Sequence, residues 1–579
     1  MNRETESHFA NIPDIGISRS KFDRSFTHKT TFDTGELIPI YCDTTIMPGD
    51  TVKMRMSEIV RMSTPIAPVM DNCNLDLYFF YIPYRLIWSH FREFMGENTS
   101  APWTQTTTYT IPQVKNYGTS NVTSKTFAAK SLADYFGYPV GTTTDWEASI
   151  LPFRAYCLVW NEFFRDENLQ NPVNIALTDA TQEVRSYKSS NYSDTQYAQT
   201  GGGRPLKVCK YHDYFTSALP GAQKGPAVNV PLAGSAPIMW ADTLSITNPT
   251  GATGSKPKFT SNTDAEGAHA GIMFSQGNSA YMPIYDKYNN DWYAASAINT
   301  ASGEYQYVGM AADLSQAVGA TVNQLRQAFA IQKFYERQAR GGTRYIEMVK
   351  SHFNVTNPDY RLQRPEYLGG KRIPINMNQV IQSTQVQGSG QTPLGTTGAY
   401  SVTSDRDDMF THSFTEHGIL LGLACVRTTH TYQQGLNRQY SKKNLTDFYF
   451  PEFANLGEQA ILNKEIYLQG YNPGGGQDAD IDEQAFGYQE AWATERYFPD
   501  IVTGEFRSNY SAPLDIWHYA DYYTALPSLG DTWIKETDTN VARTLAVQNH
   551  SQFIADFYFG AIYTRPMPLY SIPGLIDHH

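Results

Sequence analysis

His412, Glu416 and His417 form the closest approach in this sequence to a metal-binding or acid–base site. An odd number of positions separates the two histidines, so on a strand their imidazoles would point to opposite faces of the sheet. Zinc sites need ligands that converge on one point, which this spacing disfavours. We therefore expect all three residues to occupy ordinary structural positions.

The sequence lacks the motifs that identify common enzyme classes. No GxxxxGK[ST] phosphate loop, GxSxG nucleophile turn, HExxH zinc motif or EF-hand calcium loop occurs. Acidic and aromatic loop residues would suit a glycoside hydrolase, but any β-rich chain with 57 acids offers such pairs. The sequence therefore predicts no catalytic residue, no metal and no cofactor.

The most clearly delimited element is a predicted helix that begins after Thr321. Thr321 and Gln324 have the spacing of a capping box, and Gly341 followed by Gly342 supplies a stop signal. At about 100° per residue, the apolar side chains of this helix share one side. They are Val322, Leu325, Ala328, Phe329 and Tyr335.

Four basic side chains lie within about 60° of one another on the flank of that helix: Arg326, Lys333, Arg337 and Arg340. Residues 325–372 contain ten Lys or Arg and four Asp or Glu, whereas residues 446–540 contain 17 acids and four bases. Charge is therefore segregated along the chain. The residues alone leave two interpretations open, a solvated helix face or a track of phosphate contacts.

The composition indicates large buried or contact surfaces. Charged residues make up 18% of the 579 residues, against roughly 25% in average soluble domains, and aromatic residues reach 13%. Lys and Arg total 45 and Asp and Glu total 57, which gives a net charge of −12. A protein whose whole surface grips nucleic acid is therefore disfavoured, while local basic patches remain open.

The opening residues hold several charges and no apolar run, so they do not form a secretory signal. No apolar stretch reaches the roughly 18 residues that a membrane span needs. We expect the protein to stay where it is made. The cysteines are odd in number and include no CxxC pair, which predicts buried reduced thiols at Cys42, Cys73, Cys157, Cys209 and Cys425.

Strand patterns recur along the chain without regular alternation with helices. They cover residues 38–45, 52–56, 74–88 with a break at Pro83, 373–381, 417–432 and 553–563. Short helices are predicted at residues 90–97 and 151–168. A parallel α/β sheet is disfavoured, and a sandwich, a barrel or a jelly roll remains open.

Residues 225–319 differ in amino-acid composition from the rest of the chain. Ten glycines and only ten charged residues among 95 predict a long excursion outside the core. Its large aromatic residues supply enough apolar surface for a compact insertion rather than a disordered linker. They include Trp240, Phe274, Tyr281, Tyr285, Trp292 and Tyr293.

Four separated segments carry the motifs of one known family. They are FDRSFTHKTTFDTGELIPIYCDTTIMPGDTVKMRM at residues 22–56, HDYFTSALPGAQKG at 212–225, LRQAFAIQKFYERQARGGTRYIEMVKSHFNV at 325–355 and RYFPDIVTGEFRS at 496–508. In this order they closely resemble the major capsid proteins of the Microviridae, particularly those of gokushoviruses, which are small single-stranded DNA bacteriophages. The likeness is weakest between residues 225 and 319.

The resemblance implies a mainly β fold over residues 1–579, an eight-stranded antiparallel jelly roll with long loop insertions and a few helices. It also implies sixty copies in a T=1 icosahedral shell that encloses the genome. In gokushoviruses a large insertion rises as a protrusion at each threefold axis. Residues 225–319 are the matching candidate, and their aromatic residues are then the candidate receptor region.

The family further implies several partners. These are other copies of the chain, viral single-stranded DNA, a small basic DNA-binding viral protein, a DNA pilot protein and a host surface receptor. The protein is then a virion component assembled in the host bacterial cytoplasm. The basic helix residues become candidate genome phosphate contacts, with acidic residues 446–540 of a neighbouring subunit as the rival partner.

A second hypothesis from the residues alone is a β-rich carbohydrate-binding or carbohydrate-cleaving protein. The missing secretory signal and the four motifs both disfavour it.

Overall fold

Strands dominate the computed structural model of this chain. The structure describes residues 18–98, 107–115, 127–142, 144, 146–183, 205–228, 238–244, 274–276, 279–281, 283–286, 291–294, 307–312, 322–384, 393–470 and 480–570. The mainly β fold that the sequence predicts is confirmed.

Nine strands form the two main sheets. They are β1 (Ser20–Asp23), β2 (Phe26–Phe32), β3 (Ile38–Ile46), β4 (Thr51–Met62), β5 (Cys73–Pro83), β6 (Glu366–Pro374), β7 (Thr403–Ser413), β8 (Gly418–Thr428) and β9 (Phe553–Arg565). In the first sheet β9 pairs with β1 and β2 on one side and with β4 on the other, and β4 pairs with β7. The second sheet has the order β6, β5, β8, β3. All of these pairings are antiparallel.

The pairing is nested along the chain. From β2 onward the first strand pairs with the last, β3 with β8, β4 with β7 and β5 with β6. Nested pairing of this kind is the connectivity expected of a jelly roll. The two sheets hold nine strands rather than the expected eight, because β1 and β2 follow one another along the same edge of β9.

Apolar side chains from the facing sides of both sheets form the central core. Alternate residues of β4 and β9, such as Met54, Met56 and Phe559, point inward, as the period of a strand requires. They meet Leu77 and Phe79 of β5. At one place Tyr563 links the sheets through its hydroxyl, 2.6 Å from the hydroxyl of Tyr41 and 2.7 Å from the carboxylate of Asp43.

The second sheet is buried on both faces. Its outer residues, including Phe80 of β5 and Leu421 of β8, pack against helix α1 (Leu151–Val159) and the loops around Trp88. A strand covered on both sides reads as a nearly continuous apolar run. This explains why β5 and β8 are the most apolar strand segments of the sequence.

A third core holds the loops that follow β8. It contains Phe215, Tyr432, Ile466 and Trp533 among other buried residues. Helices α2 (Val322–Gly341) and α3 (Tyr345–Phe353) precede β6 along the chain.

The remaining elements are short. Small sheets pair Met377–Ile381 with Thr397–Ser401 and Glu458–Leu462 with Ala485–Glu490, and join Gln113–Lys115 to Glu147–Ser149 and Gln182–Glu183. One-turn α-helices are Phe91–Phe94, Leu132–Tyr135, Asn463–Ile466, Asp480–Glu483, Asp531–Ile534 and Thr539–Ala542. A π-helical turn, Trp160–Phe164, follows α1, and 3-10 turns are Tyr84–Leu86, Arg438–Tyr440, Leu445–Asp447, Pro451–Phe453, Ala493–Glu495, Gly504–Phe506 and Asp515–Trp517.

The chain divides into two compact units, one of which is Pro226–Phe334. Within this unit three antiparallel pairs of strands are described: Ile238–Leu244 with Tyr307–Ala312, Phe274–Gln276 with Ser279–Tyr281, and Pro283–Asp286 with Asp291–Ala294. The threefold protrusion expected of residues 225–319 stays a prediction.

The predicted strands are confirmed with small changes of boundary. β5 ends at Pro83, where the sequence predicts a break, whereas the predicted strand 373–381 is split between β6 and Met377–Ile381. Strand β7 was not predicted, because charged and polar residues occupy most of its inward and outward positions. All five cysteines are described; four are buried, Cys42 is half-buried, and none forms a disulfide within the described residues.

Every helix in the described ranges is too short or too polar to traverse a lipid bilayer.

Glu58 is a charged residue on the inward side of β4. It is 2% exposed, and both of its carboxylate oxygens are buried without a hydrogen-bond partner among the described residues. Burial and the carboxylate of Asp405 raise the pKa of Glu58 to about 7, against the opposing effect of Lys371. The folded chain therefore favours the protonated form of this carboxyl group.

This group makes stability pH-dependent. Below its ordinary pKa of 4.5 Glu58 adds no pH dependence to stability. Stability falls as pH rises from about 4.5 to about 7, because the unfolded chain loses this proton over that range while the folded chain keeps it, and the loss is complete above about 7. Glu58→Gln should raise the free energy of unfolding at about pH 8 by about 2–3 kcal/mol and leave it nearly unchanged at about pH 4. Urea unfolding of the unassembled chain at both pH values measures this. The exposed control Glu452→Gln should leave the free energy of unfolding unchanged at both pH values. An equal effect of Glu58→Gln at both pH values would contradict the account.

Candidate functional site

The predicted basic stripe lies on helix α2. Its C-terminal stop is confirmed, since α2 ends at Gly341 and Gly342 has φ +89°, which only glycine adopts readily. Thr321, the predicted capping residue, lies outside the described residues. Arg326, Lys333, Arg337 and Arg340 are all exposed, and the stripe extends over about 21 Å from first to last.

Arg340 differs from the other three. Its guanidinium is ion-paired with Glu458, whose side chain is only 1% exposed. A carboxylate that is removed from water needs a compensating charge, so Arg340 is held by the chain's own acid. This ion pair cannot be predicted from local sequence patterns, because Arg340 and Glu458 are far apart along the chain.

The other three stripe residues have no ion pair among the described residues. Arg326, Lys333 and Arg337 therefore present free positive charge. The stripe is thus divided between one structural cation and three available ones. Three residues of the predicted apolar side of α2, Val322, Leu325 and Phe329, are exposed in the isolated chain.

Most of the basic residues that follow α2 are neutralised internally. Arg344 at the start of α3 lies 2.9 Å from Glu167 and 3.1 Å from Glu347, and it also donates to the carbonyls of Asn161 and Arg165. These contacts tie α3 to the end of the π-helical turn. The positive charge of Arg344 is therefore neutralised within the chain, where it helps to position α3.

Strand β6 uses its cations in the same way. Lys371 pairs with Asp405 and with Asp407, the latter at 2.9 Å, and so bridges the edges of the two sheets. Arg372 lies 2.8 Å from the buried carboxylate of Asp76, which Arg427 of β8 also contacts at 2.5 Å. Of the ten cations in residues 325–372, those without an ion pair among the described residues are Arg326, Lys333, Arg337, Lys350 and Arg361.

Buried pairs also hold the acidic segment, residues 446–540. His430 lies 2.8 Å from Asp521 and 3.1 Å from Glu536, and Lys210 lies 3.7 Å from Asp521. Burial alone would lower the pKa of His430, but Glu536 and Asp521 raise it to about 9. The imidazolium is therefore retained at neutral pH, and it joins this segment to the end of β8.

His412, Glu416 and His417 have separate surroundings. Glu416 accepts two hydrogen bonds from Arg85, at 2.6 and 3.2 Å. Burial lowers the pKa of His412, which lies 3.6 Å from Glu366. Among the described residues no group of histidine, cysteine or acidic side chains is arranged to hold a metal ion.

The candidate receptor residues lie in the strands of the second unit. Trp240 is in Ile238–Leu244, Phe274 in Phe274–Gln276 and Tyr281 in Ser279–Tyr281. Tyr285 pairs in register with Trp292, and Tyr293 pairs with Ile284. Their side chains lie outside the described part of the structure.

Large apolar side chains are exposed around both charged segments. Phe353, Tyr345 and Tyr360 follow the basic stripe, Tyr440 precedes the acidic segment and Phe498 lies within it. Their exposures run from 61% to 74%. So many uncovered aromatic residues mark surfaces that bury themselves against another protein.

Comparison with known proteins decides the family. The family model described as "Capsid protein (F protein)" matches residues 10–575. The chain belongs to this family of capsid proteins. It is a structural protein rather than an enzyme, and the family implies a shell built from many copies of the chain.

Three relatives extend over nearly the whole chain. Capsid protein VP1 of Bdellovibrio phage phiMH2K is 39% identical, with 99% of this chain and 98% of that protein covered. Capsid protein VP1 of Chlamydia phage 1 is 36% identical, with 98% of both covered. Capsid protein VP1 of Spiroplasma virus 4 is 36% identical, with 96% of both covered. The resemblance found in the sequence motifs is therefore confirmed.

Measurements of stability test whether Arg340 has a structural role that the other stripe residues lack. Arg340→Gln should lower the free energy of unfolding by about 1–3 kcal/mol, because it leaves the buried carboxylate of Glu458 without its cation. Arg337→Gln, on the same stripe, should change it by less than about 0.5 kcal/mol. Adding Glu458→Gln to Arg340→Gln should recover most of the loss. Urea unfolding measures all of these variants, and equal effects of the two arginine substitutions would contradict the division.

Proposed function

We propose that sixty copies of this chain assemble into a T=1 icosahedral shell that encloses a single-stranded DNA genome. Membership of the capsid family is the observation that carries this proposal. The uncovered aromatic residues around the two charged segments support it, because obligate interfaces bury such surface. The opposite charges of residues 325–372 and 446–540 would align neighbouring subunits.

We further propose that residues 225–319 form the outward protrusion and that this region meets the host receptor. The strands within Pro226–Phe334 and the division of the chain into two units support an insertion with its own structure. A segment of low charge that is rich in glycine, serine and threonine suits a surface role.

The remaining partners follow from the family resemblance. A shell of sixty chains with net charge −12 would carry about −720 before any DNA enters. Packaging therefore needs cationic help, which we assign to a small basic DNA-binding viral protein and to the free cations of this chain. A DNA pilot protein completes the set, and assembly takes place in the host bacterial cytoplasm.

Electron microscopy of the expressed full chain tests the shell. We expect closed particles of one size, and an icosahedral average should show density standing out at the threefold axes. A monodisperse monomer at all concentrations, or open sheets only, would contradict the shell. Closed particles with a smooth surface at the threefold axes would contradict the protrusion alone.

The free part of the stripe is a proposed genome contact. Point charges along a helix follow a flexible polyanion without reading its sequence. Because Arg340 is engaged with Glu458, the contact is assigned to Arg326, Lys333 and Arg337. Each exposed charge contributes little by itself, so the three must be removed together.

The triple variant Arg326→Gln, Lys333→Gln, Arg337→Gln should weaken binding of a labelled (dT)30 strand. The slope of log affinity against log salt should become shallower by about 2, since each phosphate contact with a single strand contributes about 0.7. Fluorescence anisotropy measures the slope. The matched control Arg92→Gln, Lys443→Gln, Arg496→Gln removes two arginines and one lysine from other exposed positions and should keep it. An unchanged slope in the stripe variant would assign these cations to a neighbouring subunit instead.

A further inference from the structure

The outer face of the first sheet carries an unexpected surplus of positive charge. We call the outward side chains of β1, β2, β9, β4 and β7 the outer sheet face. Its charged members are Lys21, Lys29, Lys53, Arg55, Arg61 and Arg406 against Asp23, Asp408 and Asp556. Six cations and three carboxylates leave a surplus of three on one face of a chain whose net charge is −12.

The carboxylates of this face are already engaged. Asp408 lies 2.7 Å from Arg55 and 3.4 Å from Lys53, and Asp556 lies 3.5 Å from Lys29. Asp23 accepts hydrogen bonds from Ser25. Lys21, Arg61 and Arg406 are exposed and have no ion pair among the described residues, so they are the free charges of the face, and Arg61 and Arg406 are the two on β4 and β7.

The registers place the anchors of these two arginines and of an exposed ring at the three corners of a triangle on this face. Ser57 of β4 lies opposite Tyr558 of β9 on one side and opposite Arg406 of β7 on the other. Arg61 lies four residues further along β4, so the two arginines are anchored roughly 14 Å apart. Tyr558 is 47% exposed, and Ile59 and Ile554, which lie further along the same face toward Arg61, are half exposed.

Gly560 leaves a recess next to that ring. A Cβ atom built there would lie 3.4 Å from the Cβ of Arg55 and 3.7 Å from the Tyr558 ring, which is ordinary contact distance. The side of the ring is therefore open where a longer side chain would cover it. A planar base could lie against Tyr558 at this point.

We propose that the outer sheet face binds single-stranded DNA, with Arg61 and Arg406 at phosphates and the Tyr558 ring stacking on a base. The inference deepens the proposed function, because it assigns the enclosed genome a second contact surface. Free cations around an exposed ring and aliphatic side chains match the combination that non-specific single-strand binders use. An acidic segment of a neighbouring subunit would use the charges but would have no need of the open ring.

Two variants of the full chain separate charge from stacking, with labelled (dT)20 as the probe. Arg61→Gln with Arg406→Gln should make the salt slope shallower by about 1.4, at about 0.7 per phosphate. Tyr558→Leu should weaken binding about tenfold and leave the slope unchanged. Arg92→Gln with Arg496→Gln removes the same charge from other exposed sites and should bind as the parent does.

Gly560→Val provides an independent test, because it removes no group and valine suits a strand. Filling the recess should weaken (dT)20 binding, while the thermal unfolding midpoint stays at that of the parent. If every outer-face variant binds (dT)20 as the parent does, the inference is overturned. If in that case the particles fail to assemble, the face binds a neighbouring subunit.

The same measurements distinguish this inference from the proposed function. A parent chain that does not bind (dT)20 at any salt concentration would contradict genome contact altogether. In a different outcome, the parent binds (dT)20 while the stripe variant binds it more weakly and the outer-face variants bind it as the parent does. That result would support the proposed function and contradict only DNA binding by the outer sheet face.

Discussion

A shell subunit of net charge −12 can face a polyanion only if its free cations are kept apart from its acids. In the folded chain, some cations are neutralised by ion pairs and others are not. Arg344, Lys371 and Arg372 are held by the chain's own carboxylates, whereas Arg326, Lys333 and Arg337 have no ion pair among the described residues. Segregation of charge is thus a property of the tertiary structure as well as of the sequence.

The sandwich supplies the framework for that separation. Because β5 and β8 are buried on both faces, the second sheet anchors helix α1 on one side and the first sheet on the other. Of the two main sheets, the first alone has an uncovered face among the described residues. Its alternation places the methionines and valines of β4 inside and Lys53, Arg55 and Arg61 outside. The long loops are then joined to the sandwich by buried ion pairs such as His430 with Asp521.

The sequence predicts those parts of the fold in which alternation and stop signals are clean. β4 is one example, and the end of α2 at Gly341 is another. β7 escapes prediction because its inward positions include Asp405, whose partner Lys371 comes from another strand. The pair of Arg340 with Glu458 depends on contacts distant in sequence, which no local pattern encodes. The burial of Glu58 was not predicted either, because the predicted strand ends at residue 56 whereas β4 continues to Met62.

The account rests on nucleic acid meeting the free cations rather than the neutralised ones. Cryo-electron microscopy of DNA-filled particles, at a resolution that shows side chains, tests this most directly. It should show nucleic-acid density against Arg326, Lys333 and Arg337 or against Arg61 and Arg406, with Arg340 still on Glu458. The account is contradicted if both sets of free cations lie on the outside of the particle or between subunits, and the nucleic-acid density contacts other parts of the chain.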